Sequence, residues 1–419
     1  MRCLWLALGD PDPPQNGQFI YSGGLIHAVA ALGVELHVVA FSLPGGTHQD
    51  GEKTGNVVWH LAEGHPRAGW RAVFSALPRD VFRTRTSGLL RHVRGLLTQR
   101  SWDVVVFDSL TLGWALKSVR AACKTAAIVY LSHNHEEAVA GALAQDERDW
   151  LKRPVRHLDA LKVRRMEREL IHRADLITGN SPEACATFQR LKGFLSRRHV
   201  SERNIRLARQ VEFVAPGYSG PRMPPREIGS EIPRRAIIVG TFDWQAKRKS
   251  FEEFFEIADT KFAEAGIELY VVGRASEDFL SAMRRRARAT VFTGRVDDVY
   301  AFMKDARIAV VPDKMGGFKL KGLDYVFNRL PIFAHVDALP GMPLRPRESV
   351  WLFDDYEKLT QGIIEHINDF DTLNALQALA YTVCVDQFDW GHAGRKLIAA
   401  IARSTRVGFH AISPSAKAA

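Results

Sequence analysis

Residues 316–333 read GGFKLKGLDYVFNRLPIF, with Lys319 and Lys321 beside two glycines, Asp324 just beyond, and a proline opening an apolar run. The preceding IAVVP has strand character, so this stretch predicts a strand, a glycine loop and a helix that starts near Lys319. Glycines let a backbone come close to a ligand, and the N–H groups of a helix start favour an anion. The two lysines add positive charge. Asp324, about one and a half turns into the helix, is placed to accept hydrogen bonds from a diol. The alternative for this stretch alone is an ordinary loop with a solvated basic face.

A second stretch, AIIVGTFDWQAKRKSFEEFF at 236–255, repeats the scheme. A strand runs into a loop, then Lys247, Arg248 and Lys249, then an amphipathic helix. Two such units in one domain can converge on one phosphate group, and positioned positive charge then replaces a metal at a diphosphate leaving group. In the first half, YLSHNHEEAVAG at 130–141 ends a strand in His133, Asn134, His135 and Glu136. A histidine beside a carboxylate can serve as a general base; the alternative is that Asn134 or Ser132 caps the next helix. Gly17 lies in a glycine-bearing loop after the first strand, with a turn before a helix capped around Ser22 as the plainer reading. Asp10-Pro-Asp12 and Asp369-Phe-Asp371 mimic a metal-binding DxD. The first falls in a Pro-rich loop and the second at a helix boundary, and no metal is expected.

These residues need elements to hold them. Continuous Val/Ile runs suit parallel strands covered on both faces, and they fall at 3–8, 36–41, 57–61, 104–107, 126–131, 176–179 and 211–215. In the second half they fall at 236–239, 268–272, 291–294, 308–312, 332–334 and 350–353. Helical patterns alternate with them, as in GGLIHAVAAL and SFEEFFEIADTKFAEAG. The class is therefore α/β, with doubly wound sheets. The 419 residues suit two domains. The Pro/Gly-rich stretch 216–235 reads as a linker between a domain at 1–215 and another at 236–387, with a C-terminal helix at about 388–410 expected to pack back on the first. Open α/β sheets bind ligands at the carboxyl ends of their strands, so two sheets face to face would enclose a site in a cleft.

Composition narrows the class further. With 46% hydrophobic and 25% charged residues the chain is not collagenous, disordered or coiled coil. No apolar run reaches the roughly 20 residues of a spanning helix, and the N-terminus reads as a first strand rather than a signal peptide. Four scattered cysteines form no CxxC pair, which argues against zinc and disulfides and for the cytoplasm. A net charge of +10 calls for an anionic partner. No nucleic-acid motif is present. The segment RAGWRAVFSALPRDVFRTRT at 67–86 interleaves aromatic and basic residues, and 151–210 is rich in Arg and Lys. Both suit peripheral contact with an anionic membrane; a helix with a core face and a solvated basic face is the alternative.

The order IIVGTFDW, LYVVGRA, VFTGRVDDVYAFMKDARIAVVP, GGFKLKGLDYVFNRLPIFA and QFDWGHAGRKL resembles the C-terminal domain of retaining GT-B glycosyltransferases of the group 1, family 4-like type. The resemblance implies two Rossmann-like domains facing across a cleft and transfer of a sugar from a UDP- or GDP-linked donor, without a metal or other cofactor. It implies a glycan or lipid-linked saccharide acceptor and a cytoplasmic setting, at the inner face of a bacterial plasma membrane, in surface or exported polysaccharide synthesis. Lys247, Arg248 or Lys249, and Lys319 or Lys321, match the diphosphate binders. Gly240, Thr241, Gly316, Gly317, Phe318 and, from the first half, Gly17 match positions beside the diphosphate and donor sugar. Asp324 matches the carboxylate for the ribose hydroxyls. His133 matches a histidine near donor or acceptor and is assigned to positioning, with Glu136 beside it. The family often carries two glutamates spaced E-x7-E, where this chain has Gly316 and Asp324. A catalytically weak scaffold of the same fold and a nucleotide-sugar epimerase are the alternatives.

Overall fold

The Val/Ile runs fold as parallel strands in two sheets. The computed structural model describes residues 1–14, 16–64, 66–196, 210–242, 245–314 and 317–404. The chain divides into two units, Met1–Val214 with Trp390–Ala419, and Ala215–Asp389.

The first unit holds β1 (Arg2–Gly9), β2 (Glu35–Phe41), β3 (Lys53–Thr54), β4 (Val57–Ala62), β5 (Val104–Asp108), β6 (Ala127–Leu131), β7 (Leu176–Gly179) and β8 (Gln210–Phe213). Their order is β3-β4-β2-β1-β5-β6-β7-β8. All pairs are parallel except β3 with β4. Alternate side chains of each strand enter different cores. Leu4, Leu6, Val105, Phe107, Ile128 and Tyr130 join one; Cys3, Trp5, Val104, Val106 and Val129 join the other. Burial on both faces is why these strands are unbroken apolar runs. The two-residue edge strand β3 carries no such signal and was not expected.

The helix Gly17–Ala31 starts where Asn16 caps it, accepting the N–H groups of Gln18 and Phe19. The turn expected around Ser22 is absent: Ser22, Gly23 and Gly24 lie inside the helix and are buried or half-buried. Gly24 has a packing reason, since a Cβ there would lie 2.4 Å from the Trp390 ring. Trp390 opens the C-terminal helix Trp390–Ser404, which packs on Gly17–Ala31. Its Ala393, Leu397, Ala400 and Ile401 complete the second core of this unit.

The second unit holds β9 (Arg235–Val239), β10 (Glu268–Val272), β11 (Thr290–Gly294), β12 (Ile308–Val311), β13 (Ile332–His335) and β14 (Trp351–Phe353), all parallel, in the order β11-β10-β9-β12-β13-β14. The helix Gln245–Glu264 lays Phe251, Phe254, Phe255 and Phe262 on one face of this sheet; Leu323, Val326 and Phe327 from Leu320–Phe327 cover the other. Residues 216–234, whose composition reads as a linker, are packed onto this unit. Ile228 is buried in its core, and Tyr218 stacks on Phe327 with ring centroids 4.5 Å apart.

Among the described residues no helix is long and apolar enough to cross a membrane. All four cysteines are buried and free.

The aromatic layer beneath β9 to β11 should dominate the stability of the second unit. Phe254, fully buried against Phe262 and Tyr356, should cost roughly 3–5 kcal/mol when replaced by alanine. The exposed Val291→Ala should stay within about 0.5 kcal/mol of the parent. Urea unfolding of both variants checks the contrast.

Candidate functional site

In each sheet the strand order reverses once, between β1 and β5 in the first and between β9 and β12 in the second. Such a switch point splays the following loops apart and leaves room for a ligand. The residues singled out by type and spacing leave these strands or their immediate neighbours.

In the second unit the lysines stand where the chain enters the helices that follow β9 and β12: Lys247 in the first turn of Gln245–Glu264, Lys319 just before Leu320–Phe327 and Lys321 within it. Asp313, two residues past β12, is buried. Its carboxylate pairs with the Lys321 ammonium. Burial alone would raise this carboxyl, but Lys321, Lys247 and Lys319 together hold it down to about 2. Burial, with repulsion from Lys321, lowers Lys319 to about 8 against the pull of Asp313. Three ammonium groups from the starts of two helices thus act on one carboxylate, leaving a surplus of two positive charges at neutral pH. A low-dielectric pocket with such a surplus is built for an anion.

Only one residue of the 247–249 run turns fully to this cluster. Lys247 reaches the Gly240 backbone, so close that a Cβ on Gly240 would lie 2.3 Å from its Nζ. Arg248 turns away: its guanidinium donates to the Phe242 carbonyl and to Ser276 Oγ at 3.3 Å, and lies over the Phe279 ring. It buttresses the loop after β9 and is no diphosphate contact here. Lys249 is exposed on the helix. Gly240 has φ 154 and Gly273, at the end of β10, has φ 138; a Cβ on Gly273 would meet the Gly240 carbonyl oxygen at 1.9 Å. Thr241 follows Gly240 and is half-buried, as are Gly317 and Phe318 on the other loop. Phe318 packs on Phe388. Gly316 lies outside the described residues.

The helix Leu320–Phe327 begins beyond Lys319 and carries both Lys321 and Asp324. It is pinned to β9 by the Val239 N–H, which donates to the Tyr325 hydroxyl at 2.7 Å. The loop after β12 is pinned by the Tyr356 hydroxyl, which donates to the Pro312 carbonyl at 2.7 Å. Burial pushes the Asp324 carboxyl up to about 7, opposed by a hydrogen bond from Tyr218. The Tyr218 hydroxyl also bonds that of Tyr300. Neither tyrosine was singled out by sequence; Tyr218 comes from the stretch that reads as a linker.

In the first unit, His133 follows β6 and is buried. Its Nε2 lies 2.5 Å from Asp108 Oδ1 at the end of β5. Asp108 Oδ2 accepts from Trp5 Nε1 at 2.8 Å. A carboxylate only accepts, so His133 donates from Nε2, and in the neutral ring Nδ1 keeps its lone pair. Tyr21 sets its ring edge-on to His133, centroids 5.4 Å apart, and the Asn180 amide donates to the His133 carbonyl at 2.9 Å. Position and tautomer are both constrained. Asp108 was not anticipated, although a carboxylate closing a buried apolar strand is a readable signal.

Neither Asn134 nor Ser132 caps the helix Glu136–Gln145. That role falls to the buried Glu167, from the helix Arg153–Arg173, which accepts the N–H groups of Glu136 at 3.1 Å and Glu137 at 2.6 Å. Burial, then the neighbouring Glu167, pushes Glu136 up to about 8. At neutral pH it holds its proton, which removes it as a general base and leaves it a polar wall residue. Gly17 is the first residue of its helix, immediately after the capping Asn16.

Asp10 staples the first loop of this unit, accepting from the Asp12 and His48 N–H groups and from His48 Nδ1 at 2.9 Å. Asp12 lies 2.7 Å from His27 Nε2. Asp10, Asp12 and His48 stand close enough to share an ion, as do Asp50, His60 and His92, and His135, Glu137 and Glu167. Asp369 caps the helix Phe370–Cys384 through the Thr372 N–H.

Residues 233–369 match the family described as glycosyl transferases group 1. The second unit is a group 1 glycosyltransferase domain. No curated protein matches the sequence. Among solved structures the chain is similar to a sucrose-phosphate synthase from Thermosynechococcus elongatus, with TM-score 0.65 and 18% identity over 96% of this chain and 100% of that one. It is similar to WaaG, a glycosyltransferase involved in lipopolysaccharide biosynthesis, with TM-score 0.63 and 14% identity over 94% and 99%. It is also similar to Anabaena Alr3699/HepE in complex with UDP and glucose, with TM-score 0.62 and 11% identity over 96% and 99%. At these identities the likeness carries the fold, which is GT-B with two Rossmann-like units. Within the group 1 domain, the lysine cluster stands at the starts of the two helices that follow the switch-point strands, and Asp324 lies a turn further into the second.

Two titrations bracket the site. A ribose diol donates best to an ionised Asp324, which forms above about pH 7, and a diphosphate needs a charged Lys319, which persists below about pH 8. Affinity for a nucleotide sugar, whose diphosphate does not titrate in this range, should therefore peak between the two. Calorimetry across pH should show the acid limb vanish in Asp324→Asn and the alkaline limb vanish in Lys319→Arg.

Proposed function

We propose that this protein transfers a sugar from a nucleoside-diphosphate donor, UDP- or GDP-linked, to a saccharide acceptor. The observation that carries the reading is the cluster of Lys247, Lys319 and Lys321 about Asp313, with its surplus of two charges at the start of the helix that carries Asp324. As the bond from the anomeric carbon to the diphosphate oxygen breaks, negative charge collects on the departing nucleoside diphosphate. Preorganised ammonium groups in a desolvated pocket stabilise that charge more than they stabilise the intact donor. The lysines supply the charge that a metal would otherwise supply, so no metal is assigned to the diphosphate. Asp324, steadied by Tyr218, takes the ribose hydroxyls, and the glycine backbones of 240 and 317 admit the phosphates closely.

His133, fixed by Asp108 and Tyr21, positions a hydroxyl through Nδ1. No protein nucleophile is assigned, and retention of configuration is part of the proposal. The acceptor is proposed to be a lipid-linked saccharide on the cytoplasmic side of a bacterial membrane, extended toward surface or exported glycan. The aromatic and basic character of residues 67–86 supports this, as do two proteins of the same fold, WaaG, which is involved in lipopolysaccharide biosynthesis, and Alr3699/HepE, which binds UDP.

Thermal shift with UDP- and GDP-sugars, followed by release of free nucleotide in the presence of lipid-linked saccharides, tests the reading. Lys319→Ala should weaken donor binding about 10- to 100-fold, the loss of one hydrogen bond to a charged group. His133→Ala should spare donor binding and depress turnover. A protein whose melting temperature responds to no nucleotide sugar would overturn the assignment.

A further inference from the structure

Ten large hydrophobic side chains are exposed among the described residues, and eight of them fall in two segments of the first unit. Trp70, Val73 and Phe74 lie on the short 3-10 turn Gly69–Phe74. Trp150 and Leu151 precede the helix Arg153–Arg173, and Val155, Leu158 and Leu161 lie along its first half. Leu151, Val155 and Leu158 are spaced four and three residues apart, which places them on one face. In sequence this is the pattern of a core stripe, yet here the stripe faces solvent. Phe74 is 86% exposed, Trp150 77% and Trp70 66%.

The two segments are tied together. Lys162 Nζ donates to the Ala72 carbonyl at 2.8 Å and to that of Val73 at 3.3 Å, and the Arg79 N–H donates to Asp159 Oδ1 at 2.7 Å. A groove of about 370 Å³ runs between them, lined by Trp70, Val73, Leu151, Val155, Leu158 and Lys162. Residues 67–85 and 148–165 together hold twelve Arg and Lys against three Asp. The surplus of nine positive charges here nearly equals the net charge of the whole chain. Arg67, Arg71, Arg79, Lys152, Arg153 and Arg165 are exposed around the apolar residues.

We propose that this face docks the protein on an anionic bilayer. Two tryptophans and a phenylalanine at the crest suit the interfacial zone of a membrane, the aliphatic stripe suits the acyl boundary, and the surrounding cations suit acidic headgroups. Charge complementarity selects the bilayer over a second copy of this chain, whose equally basic face would repel it. The face is already assembled, because hydrogen bonds between side chains and backbone join its two segments, so docking orders no new structure. Docking is independent of glycosyl transfer, since vesicle binding needs neither donor nor acceptor.

The full chain is to be sedimented with vesicles of phosphatidylglycerol mixed with phosphatidylcholine, and with phosphatidylcholine alone. Binding is expected to the first and not the second, and to fall as salt is raised. Trp70→Ser/Phe74→Ser and Leu151→Ser/Leu158→Ser should each reduce partitioning by about tenfold or more, with unchanged circular dichroism and melting temperature. The proposal is overturned if the parent does not partition, or if it binds acidic vesicles equally well without the apolar residues. It is also overturned if the parent forms a dimer in analytical ultracentrifugation that both double variants dissolve. Loss of vesicle binding with intact nucleotide-sugar binding separates this face from the donor site.

Discussion

A buried carboxylate ringed by ammonium groups is the constraint on which the second unit turns. Asp313 cannot be ionised in an apolar interior without partners, and the three lysines cannot crowd together without a counter-charge. Each side makes the other tolerable. The ring also fixes chain geometry, because its members come from the turn after β12 and from the helices Gln245–Glu264 and Leu320–Phe327. The glycines at 240 and 273 are part of the same solution. Their backbones touch, which brings the loop after β9 close enough for Lys247 to reach the aspartate's neighbourhood.

The first unit solves a related problem with hydrogen bonds in place of ion pairs. Asp108 is buried at the end of β5 and is satisfied by Trp5 and His133; Glu167 is buried in a helix and is satisfied by Tyr130 and two backbone N–H groups. The second arrangement fixes where the helix Glu136–Gln145 begins, and therefore where the chain turns after His133. Buried polar groups of this kind specify one local geometry because every alternative leaves a charge or donor unmet. The two carboxyls at 136 and 167 differ in role for the same reason. One is a cap with several donors around it, while the other has mainly its burial and a like-charged neighbour.

Much of this was legible in the sequence, and the boundary of legibility is physical. Strands covered on both faces announce themselves as Val/Ile runs, so the thirteen expected strands fall within a residue or two of those observed, and only the two-residue β3 escapes. The lysines, Asp324 and His133 were visible because loop position and residue type act locally. Asp313, Asp108 and Glu167 were not, because a lone acid in a loop, strand end or helix acquires meaning only from partners far away in the chain. Arg248 shows the converse: it shares its neighbours' charge but packs onto aromatic rings, a choice that composition does not encode. The stripe from Leu151 to Leu161 misleads in a further way, since periodicity says which residues share a face and not what covers it.

The helix Trp390–Ser404 has one more implication. Its Ala393, Leu397, Ala400 and Ile401 fill the same core as Trp5, Leu25 and Val106, yet they are the last described part of the chain, and the whole second unit is encoded between. During synthesis the first sheet must therefore leave the ribosome with one flank uncovered, and it stays so while Ala215–Asp389 is made. The second unit, contiguous in sequence, can close its core on its own schedule. The core of the first unit is therefore complete only once residues 390–404 have been made, whereas that of the second is contiguous in sequence.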